Sequence, residues 1–135
     1  MIRIIIDTNL WIKFLITKDF FQIEQSLINE EITLLFSDEL LTEFIEVTSR
    51  PKFKKYFTKI DVDNILSTMH HYAEFINVTT SIDLCRDPKD NFLLALSIDG
   101  KANYLVSGDL DLISIKKIKK TKIISISNFI KEVIV

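Results

Sequence analysis

Cysteine, histidine and glycine are scarce in this sequence, and each shortage excludes a class of function. One cysteine in 135 residues permits no internal disulfide and no cysteine-based zinc site. The two histidines, His70 and His71, are too few for a histidine-rich metal site. The two glycines, Gly100 and Gly108, cannot form the glycine-rich loops that bind nucleotide phosphates, so we expect no nucleotide cofactor.

Long apolar runs are missing as well. The longest contain about five residues, whereas a membrane-spanning helix needs roughly 20. The amino terminus lacks the apolar core and the small-residue cleavage site of a signal peptide, so we expect no membrane contact and a cytoplasmic location. Because the net charge is −2, any contact with nucleic acid must come from local basic patches.

The sequence does contain short β-branched runs that alternate with helical segments. Strands are predicted at 2–6, 31–36, 75–79, 103–106 and 122–126. Helices are predicted at 10–16, 19–29, 38–49, 52–57, 61–74, 90–99, 110–115 and 127–134, with Gly100 ending the helix at 90–99 and Ser127 capping the last one. This alternation predicts an α/β fold, a three-layer α/β/α sandwich with a mostly parallel central sheet. At this length we expect one domain over residues 1–135.

Three aspartates are placed where elements meet one edge of the predicted sheet. Asp7 directly follows the first strand, Asp109 follows the strand at 103–106 after a serine and a glycine, and Asp90 begins a helix. Ligands of open parallel sheets bind at the carboxyl ends of the strands. Each aspartate alone is better explained as a turn or helix cap, but together they predict an acidic rim.

A fourth carboxylate comes from helical periodicity. Leu40, Phe44 and Val47 define one apolar face of the helix that starts at Asp38, and Glu43 lies at the border of that face. Two carboxylates about 4 Å apart repel by about 4 kcal/mol at an effective dielectric of about 20, so such a cluster favours a bound cation. Oxygen ligands suit Mg²⁺ or Mn²⁺, which would polarise a phosphodiester and lower the pKa of a bound water.

Four motifs in this order carry a resemblance to a known family. They are IIIDTN at 4–9, LLTEF at 40–44, RDPKDN at 86–91 and YLVSGDLDL at 104–112. The chain resembles PIN-domain proteins over nearly its full length. The segment TSRPKF at 48–53 is similar to the branch that contains toxin components of toxin–antitoxin systems.

The resemblance implies a ribonuclease that depends on Mg²⁺ or Mn²⁺, with RNA as substrate and an antitoxin protein as partner. It implies an acidic, metal-binding and catalytic site of Asp7, Glu43, Asp90 and Asp109, with Asp111 as a further metal ligand and with Asn9 and Ser107 in support. Asp87 is expected to shape the turn before Pro88 instead. Whether the chain forms a homodimer stays open.

Two other functions fit the same residues. One is a non-catalytic RNA-binding or scaffolding module on this fold, and the other is a metal-dependent nuclease that acts on DNA. Two basic stretches could bind phosphates, although a solvated surface is the preferred interpretation of each. They consist of Arg50, Lys52, Lys54, Lys55 and Lys59, and of Lys116, Lys117, Lys119, Lys120 and Lys122.

Overall fold

Six strands form one sheet within residues 1–134, which are the residues that the computed structural model describes. They are β1 (Ile2–Ile6), β2 (Ile32–Phe36), β3 (Ala73–Phe75), β4 (Tyr104–Val106), β5 (Lys117–Ile118) and β6 (Thr121–Ile124). Their order across the sheet is β3-β2-β1-β4-β6-β5. Every neighbouring pair is parallel except β5 and β6, which confirms the predicted fold class. The last residue of the predicted domain, Val135, lies outside the described residues.

Helices connect the strands. They are α1 (Thr8–Thr17), α2 (Phe21–Ile28), α3 (Asp38–Thr48), α4 (Lys59–Tyr72), α5 (Pro88–Asp99), α6 (Leu110–Ile113) and α7 (Ile126–Phe129), which continues as a π-helical turn over Ile130–Ile134. The hydroxyl of Ser37 caps α3 by accepting a 3.2 Å hydrogen bond from the amide of Leu40. Thr58 and Asp61 form a capping box at the start of α4. Within residues 1–134, no helix has the length and apolar content needed to cross a bilayer.

The core lies on both faces of the sheet because successive residues of β2 point in opposite directions. Phe36 points toward α1 and α3, where its ring lies 6.1 Å from that of the buried Trp11. Trp11 also contacts Phe44 of α3 at a ring distance of 6.4 Å. Leu35 points to the other face, where it meets the end of α5 at Gly100. The two faces of β2 therefore place helices in both outer layers.

Gly100 follows α5 as predicted, but its reason differs from the predicted one. Its φ is −81°, an ordinary right-handed value, and the left-handed residue is Lys101 with a φ of 52°. A Cβ atom at Gly100 would lie 2.9 Å from Cδ1 of Leu35 and 2.9 Å from the carbonyl oxygen of Leu96. Close packing of α5 against β2, rather than backbone conformation, requires the glycine.

Several predicted elements need correction. The short helix predicted at 52–57 is a single 3₁₀ turn, Pro51–Phe53. Ser125, not Ser127, caps the last helix by accepting a 3.2 Å hydrogen bond from Asn128. The strand predicted at 75–79 ends at Phe75, and the chain beyond it is held by Asp99, which accepts hydrogen bonds from the following threonine amides. The two-residue strand β5 was not predicted.

Gly100→Ala is expected to destabilise the protein by about 1–3 kcal/mol because the added methyl group overpacks the contact between α5 and β2. Lys101→Gly is the matched control. A side chain in the left-handed conformation costs about 1–2 kcal/mol, and glycine at this position relieves that strain. Glycine also loses more conformational entropy on folding, about 0.5–1 kcal/mol, so the free energy of unfolding should stay the same or rise slightly. Urea unfolding of both variants measures this, and an unchanged Gly100→Ala midpoint would contradict the packing explanation.

Candidate active site

The order of the strands creates a crevice at one edge of the sheet. From β1 the chain proceeds outward to β2 and β3, and then returns to the opposite side of β1 to form β4. The carboxyl ends of β1 and β4 are therefore the point where the connections diverge, which is where doubly wound sheets bind ligands. Asp7 follows β1 and Asp109 follows β4, so both aspartates are delivered to this crevice.

A buried hydroxyl joins the two aspartate-bearing segments. Ser107 is fully buried, and its Oγ donates a 2.8 Å hydrogen bond to Oδ2 of Asp7. The same Oγ accepts a 3.0 Å hydrogen bond from the amide of Asp109. Asp7 stands at the N-cap position of α1, yet its side chain makes no capping hydrogen bond. Besides the Ser107 hydrogen bond, the backbone N–H of Asn9 in the first turn of α1 acts to lower the pKa of this carboxyl group, so both the helix start and Ser107 act on it.

The other aspartates divide between capping and the crevice. Asp109 caps the short helix α6, since its Oδ1 accepts a 2.9 Å hydrogen bond from the amide of Asp111. Asp87 caps α5 by accepting a 3.0 Å hydrogen bond from the amide of Lys89, as its expected role in the turn before Pro88 implies. Asp90 lies three residues after Asp87, within the first turn of α5, and is 8% exposed. The capping role is thus filled by Asp87, and Asp90 is left for the crevice.

Burial and mutual repulsion perturb two of these carboxyl groups. Desolvation raises the pKa of Asp90 to about 7, aided by the charge of Asp109, by a hydrogen bond between the two side chains, and by Asp87 and Asp7. Burial also raises the pKa of Asp7, with Glu43 and Asp109 acting in the same direction and the Ser107 hydrogen bond acting against them. The carboxylates of Asp109, Asp87 and Glu43 therefore lie close enough to Asp7 or Asp90 to influence them electrostatically.

Glu43 reaches the crevice from α3. Its side chain is half-buried, as its position at the border of the apolar face predicts. A cleft of about 260 Å³ lies next to it between α3 and α5. Its walls include Leu40, Pro88 and Phe92, so an apolar space adjoins the carboxylates.

Asp111 and Asn9 are placed differently from the other predicted site residues. Both are exposed, and Asp111 pairs with Nη2 of Arg86 at 3.1 Å. Arg86 was not predicted to have a role, although its position within the RDPKDN motif was a signal. Asn91 was also missed: its Oδ1 accepts hydrogen bonds from the amides of Leu84 at 2.9 Å and Cys85 at 2.7 Å, which fixes the loop before α5.

The carboxylates share the crevice without forming a preassembled ligand set. Among residues 1–134, no three histidine, cysteine, aspartate or glutamate side chains approach closely enough to hold one metal ion. One buried polar atom next to Asp7 lacks a partner within the described chain: Oγ1 of Thr8, a residue that is 1% exposed. The crevice thus contains carboxylates with raised pKa values, and the residue that follows Asp7 along the chain has a buried hydroxyl that makes no hydrogen bond.

Comparisons with known proteins identify the family of this chain. Uncharacterized protein MJ1680 of Methanocaldococcus jannaschii is 30% identical over 130 residues, covering 94% of this chain and 82% of that protein. No solved structure gives a significant match. The PIN domain model matches residues 3–111, which include β1 through the start of α6. PIN domains are generally nucleases, and they typically use divalent metal ions. Because the matched segment makes up most of its length, the chain belongs to the PIN domain family.

Proposed function

We propose that this protein is an endoribonuclease that depends on Mg²⁺ or Mn²⁺ and hydrolyses RNA phosphodiesters. The observation that carries the proposal is the buried link from Asp7 through Ser107 to Asp109, with Asp90 against Asp109. A nuclease without a histidine or serine nucleophile needs carboxylates that lie close together, and this link supports such a site at the crevice between β1 and β4.

The carboxylates suit a divalent cation by their chemistry. Their oxygens are the ligand type that Mg²⁺ and Mn²⁺ prefer, and the raised pKa values of Asp7 and Asp90 mark a place where negative charge lacks compensation. Asp7, Asp90 and Asp109 would hold the ion, with Asp111 as a further ligand. When bound, the ion would polarise the phosphodiester and lower the pKa of an attacking water.

The side chains of the protein would perform the remaining tasks. Ser107 keeps the Asp7 carboxylate in one orientation by donating to its Oδ2. Glu43, half-buried beside the crevice, would bind the ion or accept the proton of the attacking water at a carboxylate oxygen. Asn9, next to the crevice at the start of α1, would orient Asp7 or a water from its exposed side.

The biological setting that we propose is a toxin restrained by an antitoxin protein in the cytoplasm. The resemblance of the segment at 48–53 to toxin components supports it. We further propose that residues 1–135 form a single domain, since one sheet and its helices account for residues 1–134.

Asp7→Asn is expected to reduce RNA cleavage by at least about 10²-fold, because it removes a charge that no other residue can replace at the end of β1. The measurement is digestion of total RNA with Mn²⁺, with Mg²⁺ and with EDTA, beside the wild-type protein. Asp83→Asn, at an exposed loop residue, is the matched control and should cleave at the wild-type rate.

The same digestion separates the alternatives. Faster cleavage of single-stranded DNA than of RNA would identify a DNA nuclease. Retention of RNA on a filter in EDTA, with no cleavage after metal is added, would identify a non-catalytic binding module. Growth arrest on expression of the wild-type protein, absent with Asp7→Asn, would support the toxin; normal growth with active enzyme would contradict it.

Asp90 should make the metal-free protein less stable as pH rises. An acid whose folded pKa is raised binds its proton more tightly in the folded state, so its stabilising contribution is complete below the unfolded value of about 4 and is lost toward pH 7. Asp90→Asn should flatten this loss and raise Tm at pH 8 by roughly 4 °C, corresponding to about 1 kcal/mol. Thermal melts in EDTA at pH 5 and pH 8 measure the effect, and an unchanged pH dependence would contradict it.

Ser107→Ala should lower cleavage by about tenfold and stability by about 1–3 kcal/mol, because it leaves the amide of Asp109 without its buried acceptor. Ser107→Thr keeps the hydroxyl and should retain most of both. Measuring kcat at saturating RNA and Tm for both variants separates an effect on the position of the carboxylates from an effect on folding. Equal losses of kcat with alanine and with threonine would show that the hydroxyl is not the group responsible.

A further inference from the structure

A group of lysines lines a concave surface at the edge of the sheet opposite the carboxylates. We call it the lysine face, and it consists of Lys116, Lys117, Lys120 and Lys122. With Ile2, Asn103 and Tyr104 these lysines surround a space of about 500 Å³. Tyr104 begins β4, whereas Ser107 and Asp109 follow its end, so the lysine face and the acidic crevice lie at opposite ends of one strand.

The pairing of β5 with β6 places two positively charged lysines directly opposite each other. In the antiparallel pair of β5 and β6, Lys117 is directly opposite Lys122, and Lys122 in turn lies beside Tyr104 of β4. Like charges directly opposite on a ladder are destabilising. Lys122 is compensated by Glu132, whose 2.8 Å ion pair raises the pKa of the lysine. No salt bridge within residues 1–134 involves Lys116, Lys117 or Lys120.

We infer that the lysine face binds phosphate groups of a polynucleotide, and therefore that the substrate is an RNA long enough to reach both edges of the sheet. This rests on the proposed function for the identity of the nucleic acid. Protein–protein interfaces are depleted of lysine, whereas nucleic-acid interfaces are strongly positive and salt-sensitive, so four lysines around one concavity favour phosphates over an acidic protein.

The position of the lysine face sets the length of that RNA. Tyr104 begins β4 and Ser107 follows its end three residues later, which separates the two edges by about 10 Å before side chains are included. A single nucleotide at the acidic crevice does not reach the lysines. The lysine face also lies mostly beyond residues 3–111, the part matched by the PIN domain model, so it is a feature of this chain beyond that match.

The other basic stretch borders a surface of different character, in which Lys54 and Lys59 line a space of about 330 Å³ together with apolar side chains and Asp63. The ring of Phe53 stacks on that of the buried Phe57 at 5.6 Å, so both aromatic side chains serve packing. Lys52 lies 5.1 Å from the ring centre of Phe53, and Lys55 lies 5.2 Å from that of Tyr56. Lys52 and Lys55 are therefore engaged with aromatic neighbours, and together with Lys54 they provide a control of equal charge.

The test measures RNA binding without cleavage. The full chain carrying Asp7→Asn is titrated in EDTA against a labelled single-stranded RNA of about 20 nucleotides at several salt concentrations. The Lys116→Gln, Lys117→Gln, Lys120→Gln triple variant is expected to bind at least about tenfold more weakly at low salt, and its salt slope should fall by about 2, from a loss of about 0.7 per phosphate contact. The control triple Lys52→Gln, Lys54→Gln, Lys55→Gln should change affinity by less than about twofold.

Each other outcome decides against the inference. Equal weakening by both triples would show an effect of net charge alone, and no weakening would remove the lysine face from RNA binding. Equally tight, lysine-dependent binding of polyglutamate would assign the face to an acidic protein. If the glutamine triple melts at a lower temperature, the matching arginine triple keeps the charge and must retain binding.

The two proposals fail separately. Lysine-dependent RNA binding without cleavage by the wild-type protein would overturn the nuclease and leave the lysine face in place. RNA cleavage by the wild-type protein, with RNA binding that does not depend on these lysines, would support the nuclease and overturn the lysine face.

Discussion

The hydroxyl of Ser107 adds a side-chain link to the main-chain ladder of β1 and β4 where the carboxylates emerge, next to the hydrogen bond from the amide of Asp7 to the carbonyl of Val106. It donates to Asp7 inside the protein, where a group that loses its partner costs its desolvation, and it accepts from the amide of the half-buried Asp109. Because β1 and β4 are direct neighbours, their ladder sets the spacing of the two strand ends, and Ser107 connects the side chain of Asp7 to the main chain of Asp109. Asp109 in turn raises the pKa of Asp90, and Glu43 and Asp109 raise that of Asp7, so the charges of the crevice are coupled around this link.

Charge is segregated along the strands in a way that the net value of −2 conceals. Carboxylates collect at the carboxyl ends of β1 and β4, and lysines collect at the amino end of β4 and along the β5–β6 hairpin. A polyanion approaching the crevice alone meets repulsion unless a cation is present, whereas the opposite edge attracts it over roughly a Debye length, about 8 Å at physiological salt. A polyanion therefore needs a cation in order to approach the acidic edge, but it needs none in order to approach the lysine edge.

The alternation of strands and helices could be predicted because local preference and burial agree: Ile4, Ile5 and Ile6 favour a strand and are fully buried in one. The positions of Asp7 and Asp109 at one edge followed from parallel topology. The ion pair between Arg86 and Asp111 could not be predicted, since it depends on how two loops meet in space. The same holds for β5, because a run of lysines carries little strand preference of its own and becomes a strand only by pairing with β6.

The contact between Gly100 and Leu35 reaches further than its own neighbourhood. Helix α5 spans Pro88–Asp99, about 18 Å, with the glycine seated against the sheet at one end and Asp90 in the first turn at the other. A helix of this length is stiff, so the distance between α5 and the sheet at Gly100 also affects the position of Asp90 at the other end of the helix. Substitutions where Gly100 packs against Leu35 can thus tilt α5 and shift the position of Asp90 relative to the other carboxylates.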